Sequence, residues 1–169
     1  MKTKLSFAAA LTALAACTAP LTPEERAKQT DRNLPLAAAS VPACISAASG
    51  QNPNYSSLVA LGYENYKPLT KSGVNFRSKD SSFWSSVGTD LNFKSNIGCE
   101  ASYSNETDSF QAIGNAWVTA LKDEGYSPSA TKGGSYTFVA NGVPMRFRGT
   151  HQISNHSNVM TFKIQRGDR

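Results

Sequence analysis

Leu91-Asn-Phe-Lys-Ser-Asn-Ile-Gly-Cys-Glu-Ala-Ser-Tyr103 is the stretch that decides the fold. Its odd positions read Leu91, Phe93, Ser95, Ile97, Cys99, Ala101 and Tyr103. The even positions read Asn92, Lys94, Asn96, Gly98, Glu100 and Ser102. Alternation with period two marks a strand with one face in the core and one in water, the pattern of an antiparallel sheet packed on one side. Strands usually run about five or six residues, so a bend or bulge is expected near residues 96–98. Cys99 falls on the buried face.

Working outward toward the C-terminus, Asp108 and Gln111 make a variant capping box. After it Phe110, Ile113, Trp117, Ala120 and Leu121 form one apolar stripe of a helix that Gly125 ends. Residues 136–140 and 143–149 flank Asn141-Gly142, which demands a type I′ hairpin turn because both residues take positive φ there. The register of such a hairpin sets Tyr136 opposite Phe147 and Phe138 opposite Met145, with Arg146 and Arg148 on the other face. A last strand over 159–165 and a turn over 154–157 complete a three-stranded meander.

Toward the N-terminus, residues 73–77 read as a strand and residues 79–88 as a loop displaying Phe83 and Trp84. Tyr55, Leu58 and Val59 lie on one helical face that Gly62 stops. Ser40 caps a short helix through Val41, Cys44 and Ile45 that ends at Gly50. Gly62-Tyr63 and Gly125-Tyr126 each follow a helix and precede strands, a repeat of plan that an internal duplication or coincidence would equally produce. The expected fold is α+β: two layers, an antiparallel sheet of about five strands with helices on one face.

Residues 17–39 read as a tether. Thr22, Pro23 and Glu25 form a capping box, yet residues 24–32 contain almost nothing apolar to bury, so this helix is exposed and short. Ahead of it, Lys2 and Lys4 precede a twelve-residue, mostly apolar run of small residues, 5–16, below the roughly 20 residues needed to span a bilayer. The run closes on Leu14-Ala15-Ala16-Cys17, which resembles the lipobox of the bacterial lipoprotein signal. That resemblance implies cleavage before Cys17, acylation of its sulfur and new amino terminus (palmitate is a common acyl group), and a lipid anchor as membrane partner. Thr18, rather than an aspartate, follows the cysteine, which resembles the sorting pattern of outer-membrane lipoproteins facing the periplasm. The reading divides the chain into a signal over 1–16, a tether over 17–39 and a single domain over 40–169.

This changes the arithmetic of the rest. Loss of residues 1–16 takes two lysines with it and lowers the formal charge from +5 to +3. The basicity that would invite a nucleic-acid reading thus belongs partly to the discarded piece. With Cys17 lipidated, Cys44 and Cys99 remain as an even pair in an oxidising compartment, and a disulfide between them is expected.

Sites for chemistry are sparse. His151 and His156 sit around the expected 154–157 turn, where no acidic residue lies between 127 and 165 to complete a zinc site, so no metal and no cofactor is expected. His-Glu-x-x-His, Gly-x-Ser-x-Gly, P-loop and dinucleotide fingerprints do not occur. Asp80, Asp90, Glu100, Glu106 and Asp108 occupy loops, a polar face or a cap, the setting of solubility and capping rather than of a carboxylate pair. Arg146, Arg148 and Lys163 share a polar sheet face, a candidate binding plate for anionic glycan or an acidic partner. The favoured reading is a membrane-anchored, non-enzymatic binding or accessory module of the envelope. The alternatives are an inhibitor of a cell-wall-active or foreign enzyme, working through the Phe83–Trp84 loop, and a peptidoglycan hydrolase.

Overall fold

The structure is a computed structural model and describes residues 22–66, 74–78, 85–90, 98–104, 110–154 and 157–167. Three helices are present among them: α1 (Pro23–Ala48), α2 (Ser56–Ala60) and α3 (Phe110–Asp123). The strands are β1 (Tyr63–Tyr66), β2 (Val74–Ser78), β3 (Ser85–Asp90), β4 (Gly98–Ser104), β5 (Ser129–Ala130), β6 (Ser135–Ala140), β7 (Val143–Ser154) and β8 (Ser157–Arg166). They form one antiparallel sheet in the order β1-β2-β3-β4-β8-β7-β6-β5. The fold is α+β, with the helices on one face of the sheet.

The alternation that defines the expected strand survives in β4. Cys99, Ala101 and Tyr103 are buried beneath the helices, while Glu100 on the opposite face is half-exposed. Residues 91–97, with the expected bend, lie outside the described residues. The disulfide is formed: Cys44 on α1 bonds Cys99 on β4, pinning helix to sheet across Cα atoms 4.8 Å apart. The hairpin also follows its sequence. Asn141 and Gly142 take φ of 53° and 75°, and Tyr136 pairs with Phe147 and Phe138 with Met145.

Three differences have physical causes. The sheet has eight strands rather than about five, because β1, β3 and β5 are short or polar and carry little alternation of their own. β3 (Ser-Ser-Val-Gly-Thr-Asp) is held by backbone pairing to β2 on one side and β4 on the other. Residues 85–88 are therefore strand rather than part of a loop over 79–88; Phe83 and Trp84 lie outside the described residues. Second, Val59 does not join its helical face in the core: Leu58 is fully buried but Val59 is exposed, because α2 is only five residues long.

Third, the exposed helix of the tether and the helix expected after Ser40 are one element, α1, running 26 residues through Pro35 and Pro42. Proline removes an amide donor and usually ends a helix. Here Asn33, Leu36, Ala37, Ala39, Val41, Cys44, Ile45 and Ala48 are all buried, because α1 packs against α3, β4, β3, β8 and α2. Alanines let it approach closely, and tertiary packing outweighs the proline penalty. Ser40 is not a cap; its hydroxyl donates to the Leu36 carbonyl one turn earlier. The packed domain thus begins near Asn33 and has no boundary at residue 40. Thr22, Pro23, Glu24, Glu25, Ala27 and Lys28 are exposed, and the capping box is formed as expected: Glu25 N–H donates to Thr22 Oγ1 at 3.2 Å, and Thr22 N–H donates to the Glu25 carboxylate at 2.8 Å.

Each half of the sheet consists of a helix followed by a four-stranded meander: α2 with β1–β4, and α3 with β5–β8. The halves meet where β4 pairs with β8, Ala101 opposite Phe162. Gly62 and Gly125 both take positive φ, 83° and 87°, at the two helix ends. The repeated plan in the sequence is thus a repeated plan in the topology. α1 stands outside it and lies against the central strands.

Trp117 of α3 lies in the aromatic core gathered around Phe162. Its ring stacks on Phe147 at 5.7 Å and on Phe162 at 6.2 Å, and it is fully buried. Truncation of such a side chain to alanine costs about 3–5 kcal/mol.

Candidate functional site

Cys17, Phe83, Trp84 and His156 lie outside the described residues, as do Asp80, Glu106 and Asp108. Among the described residues, no group of three or more His, Cys, Asp or Glu side chains is placed to hold a metal ion.

The three basic residues do share a face. Arg148 stands opposite Lys163, and Arg146 opposite Gln165, on the side of the sheet away from the helices. Arg146 and Arg148 are exposed and Lys163 is half-buried. On the far side of Lys163 its register partner is Glu100 of β4, so one carboxylate stands in the row beside the cations. The rest of this face is small and polar: Ser102 and Thr161 stand hydroxyl to hydroxyl at 3.4 Å, and Thr150 is opposite Thr161. At the other end of the sheet, Arg77 forms a salt bridge with Glu64 at 3.3 Å and lies 5.3 Å from the centre of the Tyr66 ring.

His151 is not in a turn. β7 extends to Ser154, and the imidazole is half-buried on the helix side of the sheet, stacked on Phe110 at 5.5 Å with planes 11° apart. Phe110 in turn stacks on Phe162 at 5.2 Å. Gly149 makes this possible: a Cβ there would lie 2.8 Å from Phe162 and 2.9 Å from Phe110, so only a bare backbone lets both rings close over the strand.

Beside Phe110 a cleft of about 230 Å³ opens on the helix side of the sheet. Its floor is Phe147, Phe162 and Gly149; one wall is Phe110, Gln111, Gly114 and Asn115 of α3; the other is Ala130, Gly134, Ser135 and Tyr136. Gly133 and Gly134, with φ of 98° and 74°, turn the chain between β5 and β6 at its rim. That turn is fastened by Thr131, whose amide donates to the Ser135 carbonyl at 2.8 Å and whose hydroxyl meets the Ser135 hydroxyl at 2.6 Å. Across the cleft, Gln111 Nε2 donates to Asn115 Oδ1 at 2.9 Å, which orients two amides on the exposed side of α3. Tyr136 leans on Phe147 with centroids 6.0 Å apart. None of the residues lining the cleft is charged.

The sequence offered little sign of this cleft. Phe110, Tyr136 and Phe147 read as core positions; the pairing of β6 with β7 and the seat of α3 bring the segments together.

Deep in the core, burial pushes the Tyr103 phenol well above its ordinary range, an effect that the hydrogen bond from Trp117 partly opposes. At the outer end of α1 the Glu25 carboxyl is held below its usual range by its hydrogen bonds with Thr22, backbone first. Comparison of the chain with protein-family models, with characterised proteins and with solved structures gives no match.

Proposed function

We propose that the protein is an envelope lipoprotein, anchored through acylated Cys17 at the outer membrane and facing the periplasm, whose domain acts as a non-enzymatic binding or accessory module. The observation that carries the reading is the run Lys2 to Cys17: a basic start, a twelve-residue apolar core and Leu14-Ala15-Ala16-Cys17. Two structural features support it. Near the start of α1, Glu24, Glu25, Lys28 and Asp31 are exposed, with a Lys28–Glu24 ion pair at 2.8 Å, as suits a stalk between an anchor and a domain. The Cys44–Cys99 disulfide suits an oxidising compartment. The domain offers two surfaces for binding, the Arg146–Arg148–Lys163 face and the uncharged cleft under α3.

The test is metabolic labelling with an alkyne-tagged palmitate, run beside a Cys17→Ser form. Label and outer-membrane density are expected for the native protein, with neither for Cys17→Ser. Unlabelled native protein in the soluble fraction would sink the anchor. A pull-down from solubilised envelope, with Cys17→Ser as comparison, then separates a stable partner from transient substrate encounters.

A further inference from the structure

We infer that the cleft between α3 and the β5–β6 turn seats one ring of an uncharged pyranose sugar; the inference deepens the binding-module reading and rests on it. The chemistry of the walls selects the ligand class. Binding a charged group away from bulk water requires a counter-charge or several aimed hydrogen bonds, and none of the lining residues is charged. That disfavours phosphorylated and carboxylated ligands, which the Arg146–Arg148 face suits better. A purely apolar ligand such as an acyl chain would satisfy the aromatic floor. It would also strip water from the amides of Gln111 and Asn115 and the hydroxyls of Ser135 and Tyr136 without replacing their hydrogen bonds.

A pyranose answers both demands. Its C–H faces lie against an aromatic ring, here Tyr136, which is held in a tilted pose by Phe147. Its hydroxyls radiate from the ring edge toward donors and acceptors, and the Gln111–Asn115 amide pair presents both kinds, already oriented by its own 2.9 Å hydrogen bond. The volume of about 230 Å³ lies below the range of roughly 300–1,000 Å³ typical of drug-sized ligands and suits a single ring. A longer glycan therefore passes over the rim with one residue seated. Affinity per site is weak, with Kd on the order of millimolar, because a ring-sized ligand has few atoms with which to contribute.

The experiment is an amide NMR titration of the purified protein with three neutral oligosaccharides: the trimers of N-acetylglucosamine, β-linked glucose and α-linked glucose. An N-acetyl-leucine amide arm probes the cleft for apolar peptide side chains. Saturable shifts are expected at residues 110–115, 130–136 and 149 with at least one sugar. Ala130→Trp and Asn115→Trp, which fill the cleft from exposed positions and so spare the fold, weaken that binding at least tenfold. The inference is overturned if no sugar gives saturable shifts, if the shifts map elsewhere, if they survive both tryptophan variants, or if only the leucine amide binds. Acylation of Cys17 does not enter this titration, so a failed sugar arm leaves the anchor and any envelope partner standing, and a failed anchor leaves the sugar arm readable.

Discussion

The indole N–H of Trp117 on α3 donates to the phenol oxygen of Tyr103 on β4 at 3.0 Å, and both side chains are fully buried. This is a buried side-chain tie between the second helix–meander unit and the last strand of the first. Tyr103→Phe keeps the ring and removes the acceptor, leaving a buried N–H with no partner. The expected loss is about 1–3 kcal/mol in urea unfolding. A double-mutant cycle with Trp117→Phe should be less than additive, because either substitution alone removes the bond.

The same burial makes Tyr103 a reporter of alkaline unfolding. Its folded pKa is raised above the ordinary value of about 10. A raised pKa means that the protonated phenol is favoured in the folded state. Its contribution to stability is complete below about pH 10 and is lost as pH rises toward the folded value. In a spectrophotometric titration, Tyr103 should stay un-ionised until the domain unfolds, and Tyr103→Phe should remove that delayed phase. A delayed phase that persists in Tyr103→Phe would contradict the assignment.

The disulfide closes a separation of 55 residues. Constraining a loop of that length lowers the entropy of the unfolded chain by roughly 4 kcal/mol in the chain-entropy treatment. Cys44→Ala with Cys99→Ala should lower stability by that order, less whatever strain the bond carries. Since Cys44 and Cys99 are buried, reductant should act only after opening of the domain, so reduction rates should follow the unfolding rate. Fast reduction of the folded protein would mean that α1 separates from β4 on its own.

What could be read from the chain, and what could not, follows the physics of each element. β4 and the β6–β7 hairpin were readable because an alternating apolar face and Asn141-Gly142 are local signals, and Cys99 took its face from the alternation alone. β1, β3 and β5 were not, because their polar residues hold strand geometry only through neighbours that the sequence does not show. α1 misled at Pro35 and Pro42, where local chemistry says stop and the packing of Leu36, Val41 and Ile45 says continue. The basic face was visible from the register of Arg146 and Arg148. The cleft was not, since its walls come from α3 and the β5–β6 segment and its floor from β7 and β8.

Gly149 is a position where a single methyl group should do harm. Its Cβ would meet Phe162 at 2.8 Å and Phe110 at 2.9 Å, and Phe162 is itself wedged among Trp117, Tyr103 and Phe147. Overpacking of a filled core costs about 1–3 kcal/mol. Phe110, half-buried at the start of α3, is the ring with room to move, so Gly149→Ala should release it first. The expected signature is lower stability together with loss of the ring-current shift on His151, whose imidazole stacks on Phe110. Unchanged His151 resonances would place the relaxation elsewhere.

Arg146 and Arg148 separate fold from function. Both are exposed, and surface substitutions of this kind usually shift stability by less than about 0.5 kcal/mol. Their reversal to glutamate should therefore leave unfolding almost unchanged. If the face meets anionic headgroups or glycan, each basic residue near such a surface contributes roughly 1 kcal/mol, and reversal replaces attraction with repulsion. Binding of the protein to vesicles containing anionic lipid should then fall by well over tenfold. The native protein should show a steep salt dependence that the double variant lacks, since charges farther apart than about 8 Å are screened at physiological ionic strength. Glu100, next to Lys163 in the row, works against the plate. Glu100→Gln should therefore tighten binding, and a change in the opposite direction would mean that Glu100 orients Lys163 rather than opposing it.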